Sequence, residues 1–259
     1  MIDTLIQGIL LGGLYTLFAL GLSLMFGVMR LTNVAHGDFI ILGAFSVIAG
    51  MSLASGLPAW LVTLAVLPVA FAFGYALQRY VLNGTLGKDP LPSLVVTFGL
   101  SIVIQNLLQE LFSADPRSIN IGGLGVRGLA LGGGLSVGVL PLIVLAIALG
   151  ATGALQWLFE RTALGRSFRA VSDDREIAEL MGLNAKKVYA LATAIAAVLI
   201  VVAGALQGMR TTVSPSDGPL LLLFAFEAGI ICGMGSFWGT LAGAMILGIA
   251  QQIVFRSDR

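Results

Sequence analysis

The chain has 259 residues, 58% of them hydrophobic and only 10% charged, against about 25% charged in an average soluble domain. Mean hydropathy is +0.99, and so little polar surface argues against a soluble enzyme. Fourteen Lys and Arg against thirteen Asp and Glu give a net charge of +1, which leaves no basic field for nucleic acid.

The thirty-four glycines sit among Leu, Ile, Val and Ala, a pattern of membrane helices rather than of flexible linkers. The single cysteine, Cys232, cannot form an internal disulfide. Met1-Ile2-Asp3 lacks the basic region of a signal peptide, so the apolar run behind it is expected to remain as a first span.

A hydrocarbon core about 30 Å thick takes roughly 20 apolar residues as helix. Read in chain order, the candidate spans are Leu5 to Val28, Gly37 to Leu53, Ala59 to Leu82, Leu91 to Phe112, Val137 to Phe159, Val188 to Met209 and Leu220 to Val254. The last contains Gly233-Met234-Gly235-Ser236 and reads as two spans, or as one span plus a half-helix. The expectation is an all-α polytopic transmembrane bundle of seven to eight spans, one domain over residues 1–259. Gly37 to Leu53 and Gly233 to Ser236 are open to either a spanning or a re-entrant reading. Turn clusters at Ser55 to Pro58, Lys88-Asp89-Pro90 and Ser214 to Pro219 separate the spans. Gly122 to Gly134 reads as an external loop.

Asn33, His36 and Asp38 gather at the start of the second span. One reading is a capped helix start near the membrane surface, with Asn33 as the cap and Asp38 at the positive end of the dipole. The other is a broken segment whose polar groups line a pathway, as in transporters. Gln105, Asn106, Gln109 and Glu110 share a face of the fourth span and read as its solvated outer end, or as a polar mouth. Glu227 stands alone in an apolar run, and an ionisable group within a span demands a reason. Structural satisfaction and a pathway role both remain open for it. Gly229 and Gly233, and Gly235, Gly239 and Gly243, are small-xxx-small repeats that let helices pack closely.

The segment from about 160 to 187 holds six of the fourteen basic residues, which makes it cytoplasmic by the positive-inside rule. Threading outward puts Arg30, Arg79 and Lys88 inside, puts Arg117, Arg127 and Arg210 outside, and places the N-terminus outside. Within this loop Ser172 to Gly182 predicts a short amphipathic helix. Asp173 caps it, Glu176 completes a capping box, Ile177, Leu180 and Met181 form an apolar stripe, and Gly182 stops it. Asn184 then caps the next span. A helix this short is marginal alone, so the stripe should pack on something. The bilayer, the bundle itself and a cytoplasmic partner all fit.

Several blocks carry a resemblance. Leu164-Gly165-Arg166-Ser167-Phe168-Arg169-Ala170-Val171, and Asp174 through Asn184, resemble the cytoplasmic loop of bacterial ABC importer permeases. Gly21 to Arg30 followed by Asn33 to Asp38, and Phe226-Glu227 with Gly233 to Thr240, are similar to the same group. Together they identify the chain as resembling the branched-chain amino acid permease family. The resemblance implies that Asp173, Asp174, Arg175, Glu176, Ile177, Glu179, Leu180, Met181 and Gly182 couple to an ATPase. It implies two ATPase subunits, a second permease subunit, identical or homologous, and an external substrate-binding protein, all at a bacterial inner membrane. ATP would be hydrolysed by the partners, with no cofactor in this chain. Members of the family continue with a further apolar span and a short Arg-Pro-Gln-Gly tail, whereas this chain ends at Phe255 to Arg259, which leaves the final helix count open.

The chemistry of enzymes is missing from the sequence. Gly123-Leu124-Gly125-Val126-Arg127-Gly128 matches G-x-G-x-x-G by chance, since no strand precedes it. No P-loop exists, and one His with one Cys supports no metal or nucleophile set. The expected function is an importer permease for branched-chain or other aliphatic amino acids. Asn33, His36, Asp38 and Glu227 are the candidate pathway residues. A stand-alone secondary transporter and a permease for urea or short amides are the alternatives.

Overall fold

A computed structural model describes residues 2–54, 56–86, 91–122, 128–132 and 135–257. Among these residues seven helices are long and apolar enough to span a membrane: α1 (Ile2–Met29), α2 (His36–Leu53), α3 (Ala59–Tyr80), α4 (Leu91–Phe112), α5 (Val139–Arg161), α8 (Ala185–Arg210) and α10 (Phe237–Ser257). Two short helices, α6 (Ala163–Asp173) and α7 (Arg175–Leu180), fill the basic loop. The long C-terminal apolar run resolves into α9 (Gly218–Cys232) and α10. At 15 residues, α9 is about 22 Å long, too short to cross upright.

The expected external loop over Gly122 to Gly134 is in part a hairpin. Strand β1 (Gly128–Gly132) pairs antiparallel with β2 (Leu135–Gly138). The rest of the G-x-G-x-x-G match, residues 123–127, lies outside the described residues.

Helices α1 and α8 form the buried centre, and α3, α4 and α5 are largely uncovered. The core is continuous from Leu14, Leu17 and Phe18 on α1 through Ile40 and Phe45 on α2 to Ala192 and Ala203 on α8. On α1, Gly8 and Gly12 admit the backbone of Ile249 and Met245 on α10, each 2.6 Å from where a Cβ would stand. Such approach adds dispersion contact where no hydrophobic force drives helices together.

Packing follows a doubled order. The broadest contacts are α1 on α10 and α3 on α8. Helix α1 also packs on α9, as α2 does on α8, and α1 meets α8 as α2 meets α9. Exchanging α1, α2, α3 for α8, α9, α10 maps α1 on α10 onto α3 on α8, α1 on α9 onto α2 on α8, and α2 on α3 onto α9 on α10. The two triplets run in opposite senses. The end of α1 is tied to the loop that leads into α8, because Ser172 Oγ donates to Gly27 O at 2.7 Å.

Hydrogen bonds sort the loops into two faces. Asn83 Nδ2 donates to Lys186 O at 3.2 Å, on the same face as Ser172 and Gly27. Arg117 and Val213 exchange backbone bonds, and Ile119 N donates to Gly208 O at 2.8 Å, on the opposite face.

Candidate transport site

After Met29 the chain turns back into the bundle. Arg30 takes a left-handed φ of 54°, which ends α1. The irregular stretch to Ala35 carries α2's start inward, so that His36 Nε2 lies 2.8 Å from Phe18 O, eleven residues before the end of α1. Asn33, His36 and Asp38 are 3%, 0% and 1% exposed, so they sit inside the protein and not at a membrane surface. The expected capping by Asn33 does not occur. Ala35 is the N-cap and its own side chain caps nothing, while Asn33 Oδ1 accepts from Ala35 N at 3.0 Å, ahead of the first helical turn. A surface cap needs free backbone donors facing water, and here the segment is enclosed.

The first turns of α2 and α9 touch backbone to backbone. A Cβ on Gly37 would stand 1.9 Å from Gly218 O, and one on Gly218 would stand 1.9 Å from Asp38 Oδ1. Two helix N-termini, each with unpaired N–H groups, therefore meet at Asp38. Its Oδ1 accepts from Gln105 Nε2 at 2.9 Å, while Oδ2 has no partner, and neither does His36 Nδ1. Gln105 also reaches Ser101 Oγ at 3.2 Å.

This revises the reading of α4. Asn106, Gln109 and Glu110 are exposed, but Gln105 turns inward to Asp38 rather than ending the helix in solvent. The signal was present in the sequence. Ser93, Thr97, Ser101 and Gln105 recur every four residues and hold one helical face, and the first three are buried. Two further polar links join distant helices, the buried bond from Thr193 Oγ1 to Gln78 Oε1 at 2.9 Å and the part-buried one from Tyr15 to Gln251, and no local sequence pattern marks either.

Glu227 lies apart from this cluster. One turn earlier on α9, Phe224 stacks on Tyr15 with ring centroids 5.0 Å apart. The Tyr15 hydroxyl is within electrostatic reach of both Glu227 and Arg210. Among the described residues neither charge forms an ion pair, the one such pair being Arg175 with Glu179 at 3.0 Å.

In the basic loop two helices replace the single one expected. Asp173 ends α6, and Asp174 is the cap of α7, accepting from Ile177 N at 3.0 Å. Asp174 adopts extended backbone at φ −148°, the geometry an N-cap requires, whereas Asp173 is still helical. Glu176 then falls one residue short of a capping box. Gly182, at φ 88°, ends the segment with Leu183 N donating to Ala178 O, and Asn184 Oδ1 caps α8 through Lys187 N. The stripe does not pack within the chain: Ile177, Leu180 and Met181 are 60%, 86% and 81% exposed. The neighbouring α6 is anchored. Phe168 is fully buried against Phe159, which in turn meets Phe237 on α10 with centroids 4.9 Å apart.

The small-residue repeat divides. Gly233 and Gly235 form the turn between α9 and α10, at φ 95° and 96°, and Gly235 N donates to Ser23 Oγ at 3.0 Å. Gly243 on α10 faces Ala228 O on α9, 2.2 Å from where a Cβ would stand. Gly239 meets Cys232 O, and Gly229 meets the Met234 side chain.

A broken-helix junction inside an apolar bundle, with an anchored loop that leaves an apolar tip free, is the arrangement of a transporter subunit. Comparison with known proteins decides the family. The family profile described as branched-chain amino acid transport system / permease component matches residues 4–256. The chain belongs to this permease family. The chain is similar to the high-affinity branched-chain amino acid transport system permease protein BraD of Pseudomonas aeruginosa, 27% identical over 260 residues, 96% of this chain and 85% of that protein. LivH of Escherichia coli K12, named for the same transport system, is 27% identical over 264 residues, 97% of this chain and 85% of that one. The fructose import permease protein FrcC of Rhizobium meliloti is 31% identical over 188 residues, 67% of this chain and 51% of that protein. No solved structure matches. These relatives are permease components and not enzymes. This permease is thus a membrane-spanning transport subunit of the same family.

Proposed function

We propose that this permease is the membrane-spanning subunit of an ABC importer that moves branched-chain or similar aliphatic amino acids across a bacterial inner membrane. The observation that carries the reading is α7. An apolar tip of Ile177, Leu180 and Met181 stands exposed on a loop whose other helix is locked to α1 and α5. Uncovered apolar surface on an anchored element fits a partner. Two ATPase subunits, one on this chain and one on a second permease subunit, would dock on such tips. They would hydrolyse ATP, with no cofactor held here. ATP binding would shift the pair between outward- and inward-open states through its differential contacts.

An external binding protein would deliver substrate to the face that carries Arg117 and Val213. The six basic residues between Glu160 and Lys187 support a cytoplasmic loop and an outside N-terminus. Residues 1–259 form one transmembrane domain, with Asn33, His36, Asp38 and Glu227 as its pathway-associated polar groups.

The test is a pull-down of the tagged chain from its native membrane in mild detergent, wild type against Glu176→Lys with Leu180→Asp. Both positions are exposed, so insertion should be equal. Loss of a co-purifying ATPase in the double variant supports the reading. Absence of any ATPase with well-folded wild type ends it. Uptake by the complex, competed with leucine and with fructose, tests the substrate class.

A further inference from the structure

The loop helix α6 reaches the turn between α9 and α10 by two routes. The first is polar and runs through α1. Ser172 Oγ on α6 donates to Gly27 O at 2.7 Å. One turn earlier on the same face of α1, Ser23 Oγ accepts from Gly235 N at 3.0 Å and lies 2.9 Å from Thr240 Oγ1. Thr240 Oγ1 is in turn 2.9 Å from Ser236 O. Ser23 thus ties the α9–α10 turn and the first turn of α10 to α1, and Ser23 and Thr240 are 1% and 0% exposed. The backbones meet at the same point, since a Cβ on Gly27 would stand 3.2 Å from Gly235 Cα. The second route is aromatic. Phe168, one turn before Ser172, packs on Phe159 with centroids 5.4 Å apart, and Phe159 meets Phe237, the first residue of α10, at 4.9 Å.

The turn that receives both routes is built as a hinge. Gly233 and Gly235 hold left-handed φ values of 95° and 96°, so neither helix continues through it. From this turn α9 runs back 15 residues to Gly218, whose backbone crosses α2 at Gly37. Helix α9 is therefore gripped at both ends, by the glycine crossing at one and by Ser23 at the other. Along its length Leu220, Leu223, Ile230 and Ile231 stay exposed.

We infer that Ser23 is the latch through which α6 positions α9, and that its release in each cycle lets α9 tilt about the Gly37–Gly218 crossing. A pull on the loop displaces Ser172 and Phe168 together. The first shifts the end of α1, the second shifts Phe237, and the two sides of the latch part. Hydrogen bonds between helices inside a membrane bundle are individually weak, so the latch holds the resting state and yields to a modest bias from the ATPases. Ser23 and Thr240 are positioning residues that act through α9. This rests on the importer reading and assigns its moving part.

The experiment uses the whole transporter in proteoliposomes: this chain, its second permease, the ATPases and the binding protein. Uptake of labelled leucine and ATP hydrolysis are measured together. Thr240→Val keeps the shape and removes the hydroxyl. It should lower uptake per ATP hydrolysed about threefold, the factor that one such bond represents, whereas Thr240→Ser should keep most of it. Ser23→Ala should match Thr240→Val, and the pair together should be no worse than either, because both break one junction. For the release itself, Ser23→Cys and Thr240→Cys are combined in a chain carrying Cys232→Ser. Oxidation to a disulfide should stop uptake, and a thiol reductant should restore it, while the single-cysteine chains ignore the oxidant. Undiminished uptake by the oxidised pair overturns the latch, as does a pair that forms no disulfide. Equal losses in Thr240→Val and Thr240→Ser, or none in either, overturn the role of the hydroxyl. Failure of the wild-type complex to take up any aliphatic amino acid would instead overturn the importer reading, and it is read before any variant is made.

Discussion

Gln105 Nε2 donates to Asp38 Oδ1 at 2.9 Å, joining the outer-lying α4 to the buried start of α2. This bond holds one oxygen of an Asp38 carboxylate whose other oxygen, Oδ2, has no partner. Gln105→Leu keeps the volume and removes the donor. Leaving a buried acceptor unpaired costs about 1–3 kcal/mol, so thermal unfolding in detergent should occur at lower temperature, with α4 gaining hydrogen exchange first. An unshifted melting temperature would show that water replaces the amide and that α4 is held by packing alone.

The contact of Gly37 with Gly218 should tolerate no side chain. A Cβ at either position would overlap backbone or carboxylate atoms at 1.9 Å, so Gly37→Ala and Gly218→Ala should each destabilise by about 3 kcal/mol or more. Gly99 and Gly150 are helical controls, because a Cβ there meets nothing within 4 Å. Alanine at those positions should be neutral or stabilising by up to about 1 kcal/mol. Similar melting shifts for all four variants would refute the crossing.

Capping of α7 distinguishes two neighbouring aspartates. Asp174→Ala removes the acceptor for Ile177 N and should cost about 1 kcal/mol locally, read as faster amide exchange over residues 175–181. Asp173→Ala should leave exchange there unchanged. The reverse result would return the cap to Asp173.

Phe168 transmits between the loop and the spans. It is fully buried and packs on Phe159 with centroids 5.4 Å apart. Phe168→Ala should destabilise by about 3–5 kcal/mol. Phe168→Leu should keep the fold but reduce transport per ATP hydrolysed, since α6 loses part of its grip on α5. Equal transport per ATP in Phe168→Leu and wild type would mean that α6 is held by its other contacts.

The spans and the start and stop of most helices were legible in the sequence, because each depends on neighbours along the chain. Asn184 caps α8 and Gly182 ends the loop helix as local rules dictate. The one-residue error at Asp173 arose because two adjacent aspartates satisfy the same composition, and only the backbone angle separates them. Ser93, Thr97, Ser101 and Gln105 announced a polar face on α4. What they faced was hidden, since Asp38 lies 67 residues away in sequence from Gln105. Composition and periodicity by themselves determined that this is a multi-spanning helical protein with one basic, helix-bearing loop, because hydrocarbon accepts little besides helices of a set length. Only the tertiary structure decided that α2 and α9 start within the bundle and meet at two glycines, that Asp38 is enclosed, and that Glu227 stays partly uncovered. Burial and close approach come from packing between distant segments, and no local pattern encodes which side of a helix its neighbours will cover.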